Sequence, residues 1–82
     1  MMELIILISK FNKELTTIVK AYENGVENIF PTLESIARLK HIYFKKIDKV
    51  NMSDDSDYAK RLIYRASEEV AETICLLYKG VI

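Results

Sequence analysis

The sequence predicts a small all-α protein, an antiparallel three-helix bundle that forms a single domain over residues 1–82. Its 82 residues include only two Gly and one Pro, which are too few turn-forming residues for a sheet protein of this length. Apolar residues recur at helical spacing along three segments, at about 2–24, 29–50 and 55–79. The connections between these segments are short, which favours antiparallel consecutive helices.

Helix 1 is predicted from a seam of apolar residues whose spacing alternates between four and three positions. The seam consists of Leu4, Ile8, Phe11, Leu15, Ile18 and Tyr22, and Leu7 and Val19 widen it. Asn24-Gly25 predicts the end of the helix, because Gly adopts the left-handed cap conformation without steric cost. An alternative interpretation detaches this helix from the bundle and pairs it with another chain.

Helix 2 is predicted to begin around Pro31, which a first turn accepts and a helix interior does not. Either Asn28 or Thr32 is expected to cap its N-terminus. The residues predicted to form its apolar face are Leu33, Ile36, Leu39, Tyr43, Ile47 and Val50, with Phe44 at the margin. Lys40 lies within this face, and we expect its ammonium group to reach outward to solvent.

Helix 3 follows a polar break in which Ser53 or Asp55 is the expected N-cap. Gly80 is the expected C-terminal stop. The predicted apolar face consists of Ala59, Leu62, Ile63, Ala66, Val70, Ile74 and Leu77. The small side chains at positions 59 and 66 allow a neighbouring helix to approach closely.

Charge and apolar content limit the classes of partner. Twelve basic and twelve acidic side chains give zero formal net charge, so binding to nucleic acid or anionic lipid would need a local patch. The apolar run Leu4–Ile8 near the start is far shorter than the about 20 residues that span a bilayer. With no basic leader before it, we expect a cytoplasmic protein without a membrane partner.

The amino-acid usage gives a hint about the source. The chain contains no Gln and no Trp, and Ile, Lys, Glu and Tyr are abundant. Such a bias is typical of hyperthermophile proteins, which makes a thermophilic archaeal origin one interpretation. An AT-rich genome produces a similar bias, and Asn is not depleted here.

The sequence predicts no enzyme, no cofactor and no metal site. His41 is the only histidine, and Cys75 is the only cysteine, so a disulfide within the chain and a Cys-based zinc site are excluded. Cys75 is expected to act as a small hydrophobic residue rather than as a partner of His41. Two acidic clusters, Asp54, Asp55, Asp57 and Glu68, Glu69, Glu72, lack the further ligands of an EF-hand or a carboxylate metal site. Helix capping and surface ion pairs explain these clusters better.

Helix 3 carries a second apolar stripe, which we name the tyrosine stripe. It consists of Tyr64, Ala71, Cys75 and Tyr78, about 100° or more around the helix from the main apolar face. Because one stripe per helix is enough for a three-helix bundle, the second one predicts a contact with another protein chain. On helix 1, Ile5 and Ile6 also fall outside the seam and join this predicted interface. The alternative is that a broad helix face covers the stripe and that Tyr tolerates partial exposure.

Helix 2 carries a basic ridge opposite its apolar face. The ridge consists of Arg38, His41, Lys45 and Lys49, within an arc of about 80°, with Lys46 nearby. One interpretation is contact with phosphates or with an acidic partner. The other interpretation is a solvated face whose positive charges balance the negative charges of the acidic cluster Glu68, Glu69 and Glu72 on helix 3.

Residues 58–82 resemble the C-terminal helix of the small co-chaperones that hold type III secretion needle subunits. The likeness is carried by Tyr58, Glu69, Ala71 and Ile74. Those co-chaperones are helical hairpins, whereas this chain has an additional helix before Pro31. The resemblance implies a needle co-chaperone as a minor alternative function.

The leading prediction from the sequence is a non-catalytic helical adaptor or accessory subunit that binds itself or a larger protein. The runner-up is an accessory subunit of a nucleic-acid-processing enzyme that uses the basic ridge. A viral or phage inhibitor of a host protein is a further alternative, since such proteins are often short and free of motifs.

Overall fold

The computed structural model describes residues 2–50 and 54–80. The chain forms three α-helices, α1 (Met2–Glu23), α2 (Ile29–Val50) and α3 (Asp54–Lys79), and the described residues contain no strand. Each helix packs against the other two. The predicted helical bundle is therefore confirmed, and the predicted helix ends differ from the observed ones by one residue at most.

The C-terminus of α1 closes in a Schellman motif at Gly25, whose φ of +74° lies in the left-handed region. The N–H of Val26 donates to the carbonyl of Ala21 at 2.9 Å, and the N–H of Gly25 donates to the carbonyl of Tyr22 at 3.1 Å. These two bonds satisfy carbonyls that the end of a helix would otherwise leave without a donor. The stop predicted at Asn24-Gly25 is confirmed.

The N-terminus of α2 distinguishes between the two expected caps. The carbonyl of Asn28 accepts the first helical hydrogen bond, from the N–H of Thr32 at 3.1 Å, so Asn28 is the capping position. Thr32 lies inside the helix, is 1% exposed and donates its hydroxyl to the same carbonyl at 2.7 Å. Pro31 occupies the first turn, where its missing N–H costs no helical bond.

The start of α3 corrects one expectation. Asp55 already lies in the first turn of the helix, because α3 begins at Asp54, so Asp55 is not the N-cap. The other expected cap, Ser53, lies outside the described residues. At the C-terminus, Gly80 has a φ of +74° and donates its N–H to the carbonyl of Leu77 at 3.1 Å, which confirms the expected stop.

The core combines the three predicted apolar faces. Its buried members are Leu4, Phe11, Leu15, Ile36, Tyr43, Ile47, Ala59, Ile63 and Ile74. Three residues of the predicted faces are instead more than a third exposed: Val50, Leu62 and Leu77. Val50 and Leu77 lie in the last turn of their helices, where fewer neighbours cover a side chain. Leu62 precedes the buried Ile63 and is turned about 100° from it.

Tyr43 is the largest fully buried side chain and joins α2 to α1. Its ring meets that of Phe11 edge to face, with the centroids 5.5 Å apart and the planes at 72°. Its hydroxyl donates a 2.5 Å hydrogen bond to the carboxylate of Glu14, and Lys46 places its ammonium 4.7 Å from the ring centroid. The hydroxyl of this core residue therefore has a hydrogen-bond acceptor at the edge of the bundle, although the ring is buried.

Candidate protein-interaction surface

Two ion pairs across the helices show the register between α2 and α3. Lys40 Nζ lies 3.7 Å from Glu68 Oε1, and Lys60 pairs with Asp48. The two pairs are separated by eight residues on both helices, as antiparallel packing requires. Residues of α2 and α3 can therefore be assigned to common levels along the bundle.

An open groove of about 480 Å³ runs along the outer side of the α2–α3 contact. Ala37 on α2 and Ala71 on α3 form its sides, and their small side chains leave it open. Ser67, also in the lining, is 2% exposed and donates its hydroxyl back to the carbonyl of Ile63 at 2.8 Å. The groove is consequently lined by apolar atoms, with the carboxylates of Glu68 and Glu72 along its α3 edge.

The structure brings two members of the tyrosine stripe, Ala71 and Cys75, into this groove. A third member, Tyr64, lies just outside it and is 52% exposed. The ammonium of Lys40, which lines the groove, stands 4.9 Å from the centre of the Tyr64 ring. Lys40 therefore leaves the apolar face as expected, but it reaches Glu68 and Tyr64 rather than bulk solvent alone.

Phe30 is a surface residue that the spacing of apolar residues did not identify. It is 76% exposed in the first turn of α2, and Tyr78 is 61% exposed in the last turns of α3. In the register shown by the ion pairs, these two residues occupy the same level, at the end of the groove distant from Tyr64. Phe30 stands beside Pro31 in a segment that indicates the start of a helix. The sequence pattern therefore did not show that its ring is exposed.

Ile5 and Ile6 are exposed as predicted, at 54% and 46%. They belong to α1, and the lining of the α2–α3 groove contains no residue of α1. Ile5 and Ile6 therefore lie outside this groove, and their part in the predicted interface stays a prediction. We define the α2–α3 face as the groove together with the exposed aromatic residues Phe30, Tyr64 and Tyr78.

The basic ridge is exposed along α2, but some of its positive charges interact with other side chains of the protein. Arg38 donates to Glu34 at 2.6 Å, one turn earlier on the same helix. Lys46 stands over the ring of Tyr43. Within the described residues, His41, Lys45 and Lys49 form no ion pair, so the ammonium groups of the two lysines face solvent without a charged partner there.

The described residues assemble no catalytic constellation from the candidate groups. In the α2–α3 register, Cys75 is level with Leu33, whereas His41 lies eight residues further along α2, about 12 Å along the bundle. Across the described ranges, no cluster of three or more His, Cys, Asp or Glu side chains is placed to hold a metal ion. In the same part of the chain, no helix has the length and apolarity needed to cross a bilayer.

Tyr43 is the group whose acidity the fold changes most clearly. Burial raises the pKa of its phenol from 10.0 to about 12, and the hydrogen bond to Glu14 and the negative charge of that carboxylate act in the same direction. Tyr43 is 2% exposed, so the phenol stays protonated and supports the fold, away from the α2–α3 face.

Comparison of the chain with models of protein families, with curated proteins and with solved structures finds no match. The chemistry of its own surfaces is therefore the basis for assigning it a function.

Proposed function

We propose that this chain is a non-catalytic helical protein–protein interaction module, acting in the cytoplasm as a small adaptor or accessory subunit of a larger complex. The observation that carries the proposal is the α2–α3 face, where an open apolar groove is accompanied by exposed aromatic side chains, with Tyr64 next to the groove-lining Lys40 and with Phe30 and Tyr78 level with one another beyond the other end. The contact is assigned to this face alone, and Ile5 and Ile6 are left outside it.

The composition of the face supports a protein partner. Aromatic side chains are enriched in the cores of protein interfaces, and Tyr contributes a large contact area at low cost in conformational entropy. Phe30 exposes about three quarters of its surface, an arrangement that is unfavourable in water unless a partner covers the ring. A shallow groove between two helices is also the kind of site that receives an amphipathic helix.

The packing of α3 explains why these residues are free to bind. Ile63 and Ile74 anchor α3 in the core, at 1% and 2% exposure. The tyrosine stripe lies on the flank of the same helix that faces α2 and solvent. Association through Tyr64 and Tyr78 therefore needs no rearrangement of the core.

The test is substitution of Tyr64→Glu together with Tyr78→Glu. Self-association is measured by light scattering coupled to size-exclusion chromatography, and a foreign partner is sought by affinity capture from an extract of the source cells. We expect the wild-type chain to show at least one association that the double variant loses, because the two carboxylates would have to be desolvated on binding. Circular dichroism should be unchanged, since both side chains are more than half exposed.

The matched control is Ser9→Glu with Thr17→Glu, which adds the same two charges at exposed positions of α1. The control should keep every association of the wild type. A wild-type chain that neither self-associates nor captures a partner would contradict the proposal, and so would a double variant that keeps all associations.

Lys45 and Lys49 of the basic ridge form no ion pair within the described residues, and they favour a second candidate, an accessory subunit that contacts phosphates. Adding a DNA duplex to the same chromatography at two salt concentrations separates the two candidates. Phosphate binding weakens steeply with ionic strength and with removal of the charges at Lys45 and Lys49. Association through the α2–α3 face should be insensitive to both substitutions.

A further inference from the structure

We propose that a group of five lysines on the outer side of the α1–α2 pair binds the phosphate backbone of double-stranded DNA without regard to base sequence. This lysine patch consists of Lys10 and Lys13 on α1 and of Lys45, Lys46 and Lys49 on α2. The inference rests on the second candidate function and deepens it, because it moves the phosphate contact from α2 alone to two helices. It is independent of the protein contact at the α2–α3 face.

Tyr43 shows the register between α1 and α2. Its ring contacts Phe11 and its hydroxyl donates to Glu14, so Tyr43 is level with the middle of the segment 11–14. Because the two helices are antiparallel, Lys10 is then level with residues 45 and 46 of α2, and Lys13 is level with residues 42 and 43. The lysines of the two helices therefore lie side by side at the same height on the bundle.

On α1, the lysines of the patch lie on the side away from α3. Glu14 points to α2, and Asn12 lines the groove between α1 and α3. Lys13 lies between these two directions, at about 100° from each. Lys10 precedes Glu14 by one turn, so it lies on the α2 side of the same outer surface.

On α2, the lysines of the patch occupy the flank that faces α1 and solvent. Lys46 extends over the ring of Tyr43, at the contact with α1. Lys49 and Lys45 follow it around the helix, away from α3. All three are at least about 120° from Lys40, which pairs with α3. The two rows of lysines thus form one surface.

The lysine patch has an excess of positive charge. All five lysines are exposed, and within the described residues none of them forms an ion pair. Asp48 is turned the other way and pairs with Lys60 on α3. Glu14, bonded to the Tyr43 hydroxyl, and Glu3, in the first turn of α1, share this side of the bundle. Five positive charges against these two carboxylates leave an excess of three.

The fold alone does not require this concentration of charge. Lys49 lies in the last turn of α2, where a cation complements the helix dipole. Lys10 and Lys13 lie near the middle of α1, where that effect has faded. Like charges held side by side repel one another and disfavour the compact state. A polyanion that covers the patch removes this repulsion.

The side chains of the patch select the kind of polyanion. The exposed aromatic residues of the described chain, Phe30, Tyr58, Tyr64 and Tyr78, all lie on other surfaces. Single-stranded nucleic acids are bound largely by stacking on aromatic rings, and protein interfaces are enriched in them, so neither fits this surface. Lysines without accompanying Arg, Asn or Gln contact phosphates and do not read bases. The patch therefore suits a backbone and not a base sequence.

The dimensions of the patch suit a duplex. It extends about 10 Å along the helices, and its two rows are separated by about 9 Å, the distance between packed helix axes. The minor groove of DNA is about 6 Å wide, so flexible lysines from the two rows reach phosphates on both of its sides.

The apolar residues beside the patch do not favour a lipid surface. Ile6 is level with Lys49 and Ile42 is level with Lys13, and the two isoleucines are 46% and 42% exposed. Lysines separate them from one another. A helix that lies in a membrane interface instead presents a continuous apolar face.

The test is a titration of a fluorescently labelled DNA duplex of about 20 base pairs, followed by anisotropy at salt concentrations from about 20 to 200 mM. We expect the logarithm of the wild-type binding constant to fall with the logarithm of the salt concentration with a slope of about −4. Lys10→Gln with Lys13→Gln should raise the dissociation constant at least about tenfold at low salt and make the slope shallower by about 2. A duplex of unrelated sequence should bind equally.

The matched control is Lys20→Gln with Arg61→Gln, which removes the same charge outside the patch. Lys20 lines the groove between α1 and α3, and Arg61 is exposed on α3. The control should keep the slope and leave the dissociation constant within about threefold of the wild-type value. Circular dichroism should be unchanged in both double variants, because all four substituted side chains are exposed.

A wild-type chain that does not bind the duplex at low salt would overturn the inference. An equal loss in the control variant would do the same, since net charge alone would then explain binding. Equal affinity for a single strand of the same length would overturn the choice of a duplex. Binding to phosphatidylserine-containing vesicles that persists at high salt would indicate apolar insertion and overturn DNA as the occupant.

The inference and the second candidate function can fail separately. If Arg38→Gln abolished duplex binding while the two substitutions on α1 had no effect, the lysine patch would be wrong and phosphate contact through the basic ridge would stand. The protein contact at the α2–α3 face is tested through Tyr64 and Tyr78 and does not depend on these results.

Discussion

The two flanks of α2 are built in opposite ways. Towards α1, the contact is closed by the large rings of Phe11 and Tyr43, which meet edge to face and are both buried. Towards α3, Ala37 and Ala71 leave a groove on the outer side, and the helices are linked across it by two ion pairs and by the contact of Lys40 with the ring of Tyr64. One helix thus has a flank filled by aromatic packing and a flank left open by small side chains.

Under the proposed function, stability and association are carried by different flanks. Removing a ring from the filled flank leaves a cavity in a close-packed interior, and such cavities are expensive. Changing a small residue at the open flank leaves the interior intact. Substitutions on the two flanks should therefore separate folding from binding.

The largest effect is expected from Phe11→Ala, which empties the filled flank. Phe11 is fully buried, and truncation of a buried Phe costs about 3–5 kcal/mol. A domain of this size has a total stability of about 4–12 kcal/mol, so the variant should be close to unfolding at 25 °C. Urea denaturation followed by circular dichroism measures the change.

Cys75→Ala is a smaller truncation on the open flank, because it removes one thiol where Phe11→Ala removes a ring. Cys75 is only half-buried in the groove wall, so the loss should stay below about 1 kcal/mol. Equal losses for the two truncations would mean that the two flanks contribute equally to the stability of the fold.

A smaller effect is expected from alkaline pH, again through the filled flank. Below pH 10 the phenol of Tyr43 is protonated in both the folded and the unfolded chain, so its stabilisation is fully present. Between pH 10 and about 12 the unfolded chain loses this proton while the folded chain keeps it, because the fold raises the pKa to about 12. The free energy of unfolding should therefore fall as the pH rises, by about 2–3 kcal/mol.

The measurement is the difference in unfolding free energy between wild type and Tyr43→Phe at pH 8 and at pH 12. All other ionisable groups are the same in both proteins, so their contributions cancel in the difference. The advantage of the wild type should shrink by the amount given above. A constant difference across this range would contradict a raised pKa for Tyr43.

Ala71→Lys at the open flank is expected to have the smallest effect on stability and the largest effect on association. The half-buried Ala71 lines the groove, and a lysine there has Glu68 one turn earlier and Glu72 next to it. Its long side chain can reach these carboxylates, so the unfolding free energy should change by less than about 0.5 kcal/mol. Association measured by light scattering should be lost, because the side chain fills the groove.

Thr73→Lys, at an exposed position on the other flank of α3, is the control and should change neither quantity. Loss of association in both variants would mean that added charge, rather than the filled groove, is responsible.

Helix bounds were predictable because their signals are local. Gly25 and Gly80 mark the C-terminal ends, and the apolar spacing identified Phe11, Tyr43 and Ile63 as core residues. Thr32 was misjudged as an alternative cap because a Thr beside a Pro looks the same in sequence whether its hydroxyl caps a helix or bonds back to the preceding turn.

The α2–α3 face was predictable only in part. Helical spacing placed Tyr64, Ala71 and Tyr78 on one flank of α3, since a single helix fixes that geometry. Phe30 joins them only through the antiparallel register of two helices, which depends on side-chain pairs distant in sequence. The Tyr43–Glu14 hydrogen bond joins residues 29 positions apart. The spacing within a single helix could not predict it, for the same reason.

The position of Cys75 allows a thiol reagent to label the groove. It is the single thiol of the sequence and stands in the groove wall, half-buried, with Ala71 one turn away. A thiol reagent therefore attaches at one place in the whole molecule, and any protein seated on the α2–α3 face slows that reaction. The alkylation rate therefore measures how often the groove is occupied. The ratio of this rate to the rate in the free chain gives the fraction of time for which the groove is open.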